Sequence, residues 1–527
     1  MKKITITLIF ILASVLRLWN LTSYPAGLNA DEAALGYNAY SLLTTGRDEH
    51  GHAWPINLES FGDFKPAGYA YILIPFIKVM GLAELAVRLP SALFGILGVL
   101  GIYLLTKELI DERIAQIAAF LLAISPWHLH FSRGGWEVNV ATTLLVIGYW
   151  LLVKWTKNQK LIYLLLATCH LVLSMYIYQS TRIIAPLLGL VFFVLNFKIF
   201  IANIKQSLIV CGFAVLLLMP LAISILSSDA SSRFSGVGWL ADEGPKNRAI
   251  ELRGQDNNKF LHNKPVLYAI RLAQNYFDHW DGNFLFVNGD AIERNKVPET
   301  GLFYLTDVIL FGLGIYFLLK SYIIYPKSNF IWVWFFIAPI AAALTFQTPH
   351  ALRAHNMIIP MTIIMAVGLS KLLNKKAFLV IFMIVYSWQF ARYLHEYYVH
   401  YAYQYPIAWE YGFKELVAYT DSVKDKYQKI WVTDKYDQPY IMFLFYSVYD
   451  PSSFQGDHKL TFRDKFNFST VRDFGKFHFE NTPWDKVRDV HNALIIAAPE
   501  DIPHKGVNVI KTINFPNGLP AFKLIEN

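Results

Sequence analysis

Asp31 and Glu32 stand side by side in the stretch GLNADEAALGYNAY, directly behind the first apolar run of the chain. Two adjacent carboxylates fit two roles there. They complement the dipole of a helix that starts at this point, or one of them serves as a general base. Other ionisable residues recur at comparable places. Lys65 lies in GDFKPAG and Asp48 to His52 read DEHGH, both in the same polar segment. SPWHLHFSRGGWEVN supplies His128, His130, Arg133 and Glu137, YIYQSTRI supplies Arg182, and QTPHALRAHN supplies His350, Arg353 and His355. Any one of these alone reads as a charged group snorkelling at the end of a membrane helix. As a set they put acids and bases at the outer ends of several spans. Arginine and lysine bind phosphate, and a carboxylate takes the proton of an attacking hydroxyl. An anion held at the membrane surface beside long apolar helices suggests a lipid phosphate. The chemistry implied is group transfer from a lipid-phosphate donor.

The elements that must position these residues are membrane helices. The 527 residues are 55% hydrophobic and only 16% charged, against about 25% charged in a soluble protein. A span needs roughly 20 apolar residues. Such runs occur near 4–22, 84–106, 114–131, 137–155, 160–178, 183–198, 206–226, 302–320, 329–346, 356–373 and 377–393. The chain therefore reads as an α-helical polytopic membrane protein of about eleven spans, with 67–80 as a helix lying on or re-entering the membrane. The formal charge of +8 does not point to nucleic acid, because the lysines and arginines fall mostly in short inter-span loops. Both cysteines, Cys169 and Cys211, lie in apolar segments, which excludes a disulfide framework. The first run lacks a small-residue cleavage site and is read as an uncleaved span.

Lysine and arginine bias places the N-terminus in the cytoplasm and four segments outside: 23–83, 227–301, 347–355 and everything after 393. Residues 1–393 then form a transmembrane domain. Residues 394–527 alternate a helical run, WEYGFKELVAYTDSV, with strand-like KIWVT, ALIIAAP, VNVIKTINF and AFKLIE. They are expected to form a small extracytoplasmic α/β domain.

The residues NADEAALGYNAYSLLTTGR, GDFKPAGYAYILIPF and AVRLPSALFGILGVLGIYLL occur in that order. Together they resemble the N-terminal half of the GT-C glycosyltransferases, most of all family 39, the protein O-mannosyltransferase and aminoarabinose transferase group. The resemblance implies a multi-pass enzyme of the cell membrane. It would move a sugar from a polyprenyl phosphate to an extracytoplasmic acceptor, whether a protein hydroxyl, a glycolipid or a wall glycan. Residue by residue, Asp31 matches the catalytic acid of that family. Lys65 then becomes the first candidate for the donor phosphate, with Arg182 and Arg353 as helpers. Glu32 would orient Asp31 or an acceptor amine, or cap the helix. Glu137 stands where relatives carry a second acid, although SRGGWE departs from their Arg-Thr-Asp. His350 would bind phosphate or cap a helix.

Two other readings remain at this level. A secondary transporter of a polar or lipid-linked solute would need polar residues at mid-membrane and repeat symmetry, and the polar residues here cluster at one interface. A scaffold displaying the C-terminal domain is the second. For DEHGH, a divalent metal is one reading and a solvated loop the other, since the spacing is not that of a zinc site.

Overall fold

A computed structural model describes residues 2–226, 238–256, 258–320, 329–373, 376–462, 469–503 and 506–526. The chain divides into two compact units. One comprises Met1–Trp19 and Ser91–Leu394, the other Asn20–Pro90 and His395–Asn527. The polar segment carrying Asp31 thus belongs to the same unit as the C-terminal residues.

The first unit is helical. Its leading helices are α1 (Lys2–Leu18) and, after the elements of the other unit given below, the rest of α4 (Glu84–Leu109), α5 (Glu112–Ile124), α6 (Pro126–Arg133), α7 (Glu137–Asn158), α8 (Leu161–Ile177), α9 (Thr181–Leu195), α10 (Phe197–Ala202) and α11 (Ile204–Leu226). Further helices cover Asp307–Lys320, Asn329–Ile337, Ile340–Ala343, Ile358–Leu372 and Lys376–His395. Every run expected to span the membrane is thus helical over most of its length. Among the described residues, four helices are long and apolar enough to cross a bilayer: Glu84–Leu109, Glu137–Asn158, Ile204–Leu226 and His355–Leu372. The pair α5 and α6 would make a fifth, bent by 56°. Pro126 opens α6 and supplies no backbone N–H to continue α5, which accounts for the bend. Other expected spans are apolar helices of fewer than 18 residues, among them Leu161–Ile177 and Thr181–Leu195.

Burial separates central from peripheral helices. The 18-residue window of His355–Leu372 is 94% buried, whereas that of Ile204–Leu226 is 11% buried at a mean hydropathy of 2.7. An exposed helix that apolar faces lipid, not water. The central helix meets Asp307–Lys320 through glycines. A Cβ on Gly314 would lie 2.0 Å from the Ile364 carbonyl oxygen, and one on Gly368 2.1 Å from that of Leu310. The two backbones touch, as small residues allow where lipid offers no hydrophobic drive between helices.

The second unit contains α2 (Ala30–Thr45), the hairpin β1 (Asn57–Ser60) and β2 (Asp63–Pro66), α3 (Gly68–Met80) and the start of α4. Phe61 and Gly62, both with positive φ, form its two-residue turn. The C-terminal residues build a seven-stranded sheet from β3 (Lys429–Val432), β4 (Lys459–Leu460), β5 (Val471–Phe474), β6 (Phe477–Phe479), β7 (Ala493–Ala497), β8 (Val509–Asn514) and β9 (Pro520–Glu526). The strand order is β4-β5-β6-β3-β7-β9-β8. β3 runs parallel to β6 and β7, and the other pairs are antiparallel. All five residues of β7, ALIIA, are buried, as a strand covered on both faces requires. The strand-like runs of the sequence coincide with β3, β7, β8 and β9, and the helical run with Phe413–Val423.

Within this unit α2 rests on the C-terminal residues. Tyr37 meets the Phe454 ring edge to face at 6.1 Å and donates its hydroxyl to the Tyr449 carbonyl at 3.1 Å. Gln455 donates to Ser41, Thr45 and the Asp48 carbonyl. The helix bearing Asp31 is therefore fixed by the α/β fold.

Candidate active site

The first turn of α2 sorts the two carboxylates. Successive helical residues point about 100° apart, and here Glu32 turns inward while Asp31 stays partly exposed. Asn29 is the N-cap, not Asp31. Its side chain accepts the Glu32 N–H at 3.0 Å, while Glu32 Oε2 accepts the Asn29 N–H at 3.2 Å. This reciprocal capping box satisfies two of the free donors of the first turn. Glu32 is wholly buried and also meets Arg88 in a two-point pair, Nε to Oε1 at 3.0 Å and Nη2 to Oε2 at 3.1 Å. Arg88 donates further to the carbonyls of Leu21, Pro25 and Gly27. Its guanidinium gathers the chain leading into α2 around one buried charge pair. Gly27 adopts φ +99° with the Trp409 carbonyl oxygen where a Cβ would sit, so the approach is open to glycine alone.

Asp31 takes the outward position. Its side chain keeps 29% of its exposure, and its Oδ1 accepts from Lys65 Nζ. Lys65 is carried by β2, opposite Leu58 in the hairpin, and its ammonium lies 4.7 Å from the centroid of the Phe61 ring. The hairpin thus presents a lysine, one face against an aromatic ring, to a carboxylate at the open end of a helix. Lysine has three N–H donors, so its bond to Asp31 leaves room for an anion.

Beside this pair runs DEHGH. Asp48 Oδ1 accepts the backbone N–H of His50 at 3.0 Å and of His52 at 2.8 Å, so it folds the loop. His50 Nδ1 lies 3.1 Å from His458 Nε2. Among the described residues no group of three or more histidines, cysteines or acids is arranged to hold a metal ion. Glu49 is fully buried, and burial pushes its carboxyl up to about 8, opposed by the Asn38 amide and Lys65. Burial also pulls His50 down to about 3, with His458 and His52 adding to the effect.

These two shifts predict a pH profile. A carboxyl raised on folding binds more protons folded than unfolded, so its contribution to stability is lost as pH climbs from about 4.5 to about 8. A histidine lowered on folding acts oppositely, with stability lost as pH falls from about 6.5 to about 3. Above about 6.5 only Glu49 remains. The melting temperature should fall between pH 6.5 and 8, and Glu49→Gln should flatten that limb in a fluorescence melt.

The remaining candidates lie in the first unit. Glu137 opens α7. Arg182 Nε donates to the Met175 carbonyl at 3.1 Å. Arg353 donates to Thr345 Oγ1 at 2.8 Å and Gln347 Oε1 at 3.3 Å. His350 is buried 3.8 Å from Asp290, and its backbone N–H meets His279 Nε2 at 3.2 Å. Burial first, then Arg353, His279 and Arg294, hold His350 well below the usual histidine range. Arg17 and Arg133 are buried structural arginines. Arg17 donates to the Ala123 carbonyl at 3.0 Å, and Arg133 to those of Leu16 at 2.7 Å and Trp19 at 2.8 Å.

Sequence reasoning passed over Arg88 and the burial of Glu49. An arginine inside the apolar run AVRLPS was a usable signal, because such a charge needs a buried partner.

The comparisons with known proteins agree with this architecture. The family model for dolichyl-phosphate-mannose-protein mannosyltransferase matches residues 64–223. No curated protein matches the chain. The structure of ArnT from Cupriavidus metallidurans bound to undecaprenyl phosphate superposes over 99% of this chain and 97% of its own, with a TM-score of 0.54 at 10% identity. Its apo form gives 0.53 at 11% identity over 98% and 97%. These matches show that the chain shares the fold of ArnT. AglB from Archaeoglobus fulgidus, an archaeal oligosaccharyltransferase in complex with an inhibitory peptide and a dolichol-phosphate, covers 84% of this chain with a TM-score of 0.47 at 14% identity. The chain spans 63% of the length of that protein. The ArnT match takes in both the helical unit and the C-terminal sheet, since it runs nearly end to end.

Proposed function

We propose that this membrane protein transfers a sugar from a polyprenyl-phosphate donor to a hydroxyl on the extracytoplasmic side, with Asp31 as general base. The observation that carries the reading is the partly exposed Asp31 carboxylate bonded to Lys65 in the first turn of α2. In the step, the acceptor oxygen attacks the anomeric carbon from the side opposite the phosphate. Its proton passes to Asp31, the new glycosidic C–O bond forms, and the old bond to phosphate breaks with its electron pair. Polyprenyl phosphate leaves, and the anomeric centre inverts, as in the inverting glycosidases with a hydroxyl in place of water. Lys65 stabilises the charge gathering on the phosphate. Glu32 positions Asp31 through the cap and Arg88. Arg182, Arg353 and His350 are further donor candidates, and Glu137 a second acid.

Donor binding tests Lys65 directly. Lys65→Ala should weaken binding of undecaprenyl phosphate by the worth of a charge-assisted contact, about 1.5–3 kcal/mol. Lys157→Ala, which removes a partner of Glu108, should not. Equal affinities in a detergent-phase titration would remove Lys65 from the site.

Orientation is tested separately. The charge bias predicts an external C-terminus, so a reporter active only in the cytoplasm, fused after Asn527, should stay silent. A strong signal would put Asp31 on the wrong side for a lipid-linked donor.

A further inference from the structure

A cavity of about 600 Å³ lies within the second unit, and neither Asp31 nor Lys65 is part of its lining. Five tyrosines line it: Tyr24, Tyr398, Tyr403, Tyr411 and Tyr446. Tyr24 and Tyr398 meet edge to face at 5.0 Å, which turns their ring faces in different directions. Three carboxylates, Glu84, Glu410 and Glu415, share the wall with a single basic side chain, Lys414. Lys414 Nζ donates to Glu84 Oε1 at 2.8 Å, and the Tyr446 hydroxyl approaches the same oxygen at 3.4 Å. Lys511 pairs with Glu415 at 2.8 Å. Gly27 completes the wall, and its backbone is the one Arg88 holds.

Such a lining selects its ligand. The volume falls in the range of small-molecule sites. The three acids outnumber the two lysines that pair with them, Lys414 and Lys511, so the lining offers a phosphate no net positive charge. Ring faces take apolar C–H surfaces, and carboxylates with phenol hydroxyls take alcohol donors. A sugar ring carries both, with apolar faces and a hydroxyl rim. We propose that this cavity binds the sugar rings of the acceptor, so that the nucleophile is a saccharide hydroxyl and not a peptide side chain. Calling the ligand the acceptor rests on the transferase reading above; its being a saccharide does not.

The test uses the full-length protein in detergent and saturation-transfer NMR. The probes are methyl glycosides and short oligomers of glucose, mannose and N-acetylglucosamine, with glucose 1-phosphate and a threonine-rich peptide beside them. At least one uncharged saccharide should bind, and more tightly than glucose 1-phosphate. Tyr403 is 53% exposed and suits substitution without loss of fold. Tyr403→Ala and Glu415→Gln should each weaken that binding about fivefold or more. Tyr403→Phe should restore most of it, and undecaprenyl phosphate affinity should not change in any variant. The proposal is overturned if no saccharide binds, if both variants bind as the parent does, or if only the peptide binds in a Tyr403-dependent way. Saccharide binding without any sugar transfer would instead overturn the transferase reading and leave the cavity assignment standing.

Discussion

Asp31→Asn should lower sugar transfer by roughly 10²–10⁴, the usual worth of general base catalysis, while expression, membrane insertion and donor binding stay near those of the parent. Asparagine keeps the shape of aspartate and accepts a hydrogen bond from Lys65, but it takes up no proton at neutral pH. The structure sharpens this test. Asn29 caps α2 and Glu32 closes the capping box, so the helix terminus does not depend on Asp31 for its cap. A large loss at Asp31 therefore reports chemistry, not a frayed helix. The assay is transfer from a panel of radiolabelled polyprenyl-phosphate sugars in proteoliposomes, with equal amounts of folded protein. Near-normal turnover by the asparagine variant would sink Asp31 as the base and move attention to Glu137.

The second large effect is structural. Arg88→Leu should destabilise the protein by about 3–5 kcal/mol, because it strands the Glu32 carboxylate in a buried site with its charge partner gone. It also frees the carbonyls of Leu21, Pro25 and Gly27. Glu32→Gln should cost less, since the amide still bonds Arg88 through its oxygen. The double variant Arg88→Leu with Glu32→Leu should recover part of the loss, because replacing both charges removes the stranded one. Denaturation by graded detergent or heat gives the readout. A double variant no more stable than Arg88→Leu alone would show that the carbonyl contacts, not the charge pair, dominate.

The helices could be read from the sequence because they are local. An apolar run of about 20 residues flanked by lysines commits to a helix whatever surrounds it. The strand-like runs after residue 394 were legible from their own residues too. Asp31 was set apart from Glu32 by the family resemblance alone, since both carboxylates suit the first turn of a helix. What spacing could not supply was the partner of each charge. Lys65 reaches Asp31 across 34 residues, and Arg88 reaches Glu32 across 56. Only the fold brings the members of either pair together. Glu49 shows the same limit: its type and neighbours fit a solvated loop, yet it is fully buried. Burial depends on what packs over a residue, and here that includes residues near 440 and 458, about 400 positions away. The union of Asn20–Pro90 with His395–Asn527 in one unit was likewise decided in three dimensions. Hydrophobic period reports which face of an element is covered, and only the tertiary fold determines by what.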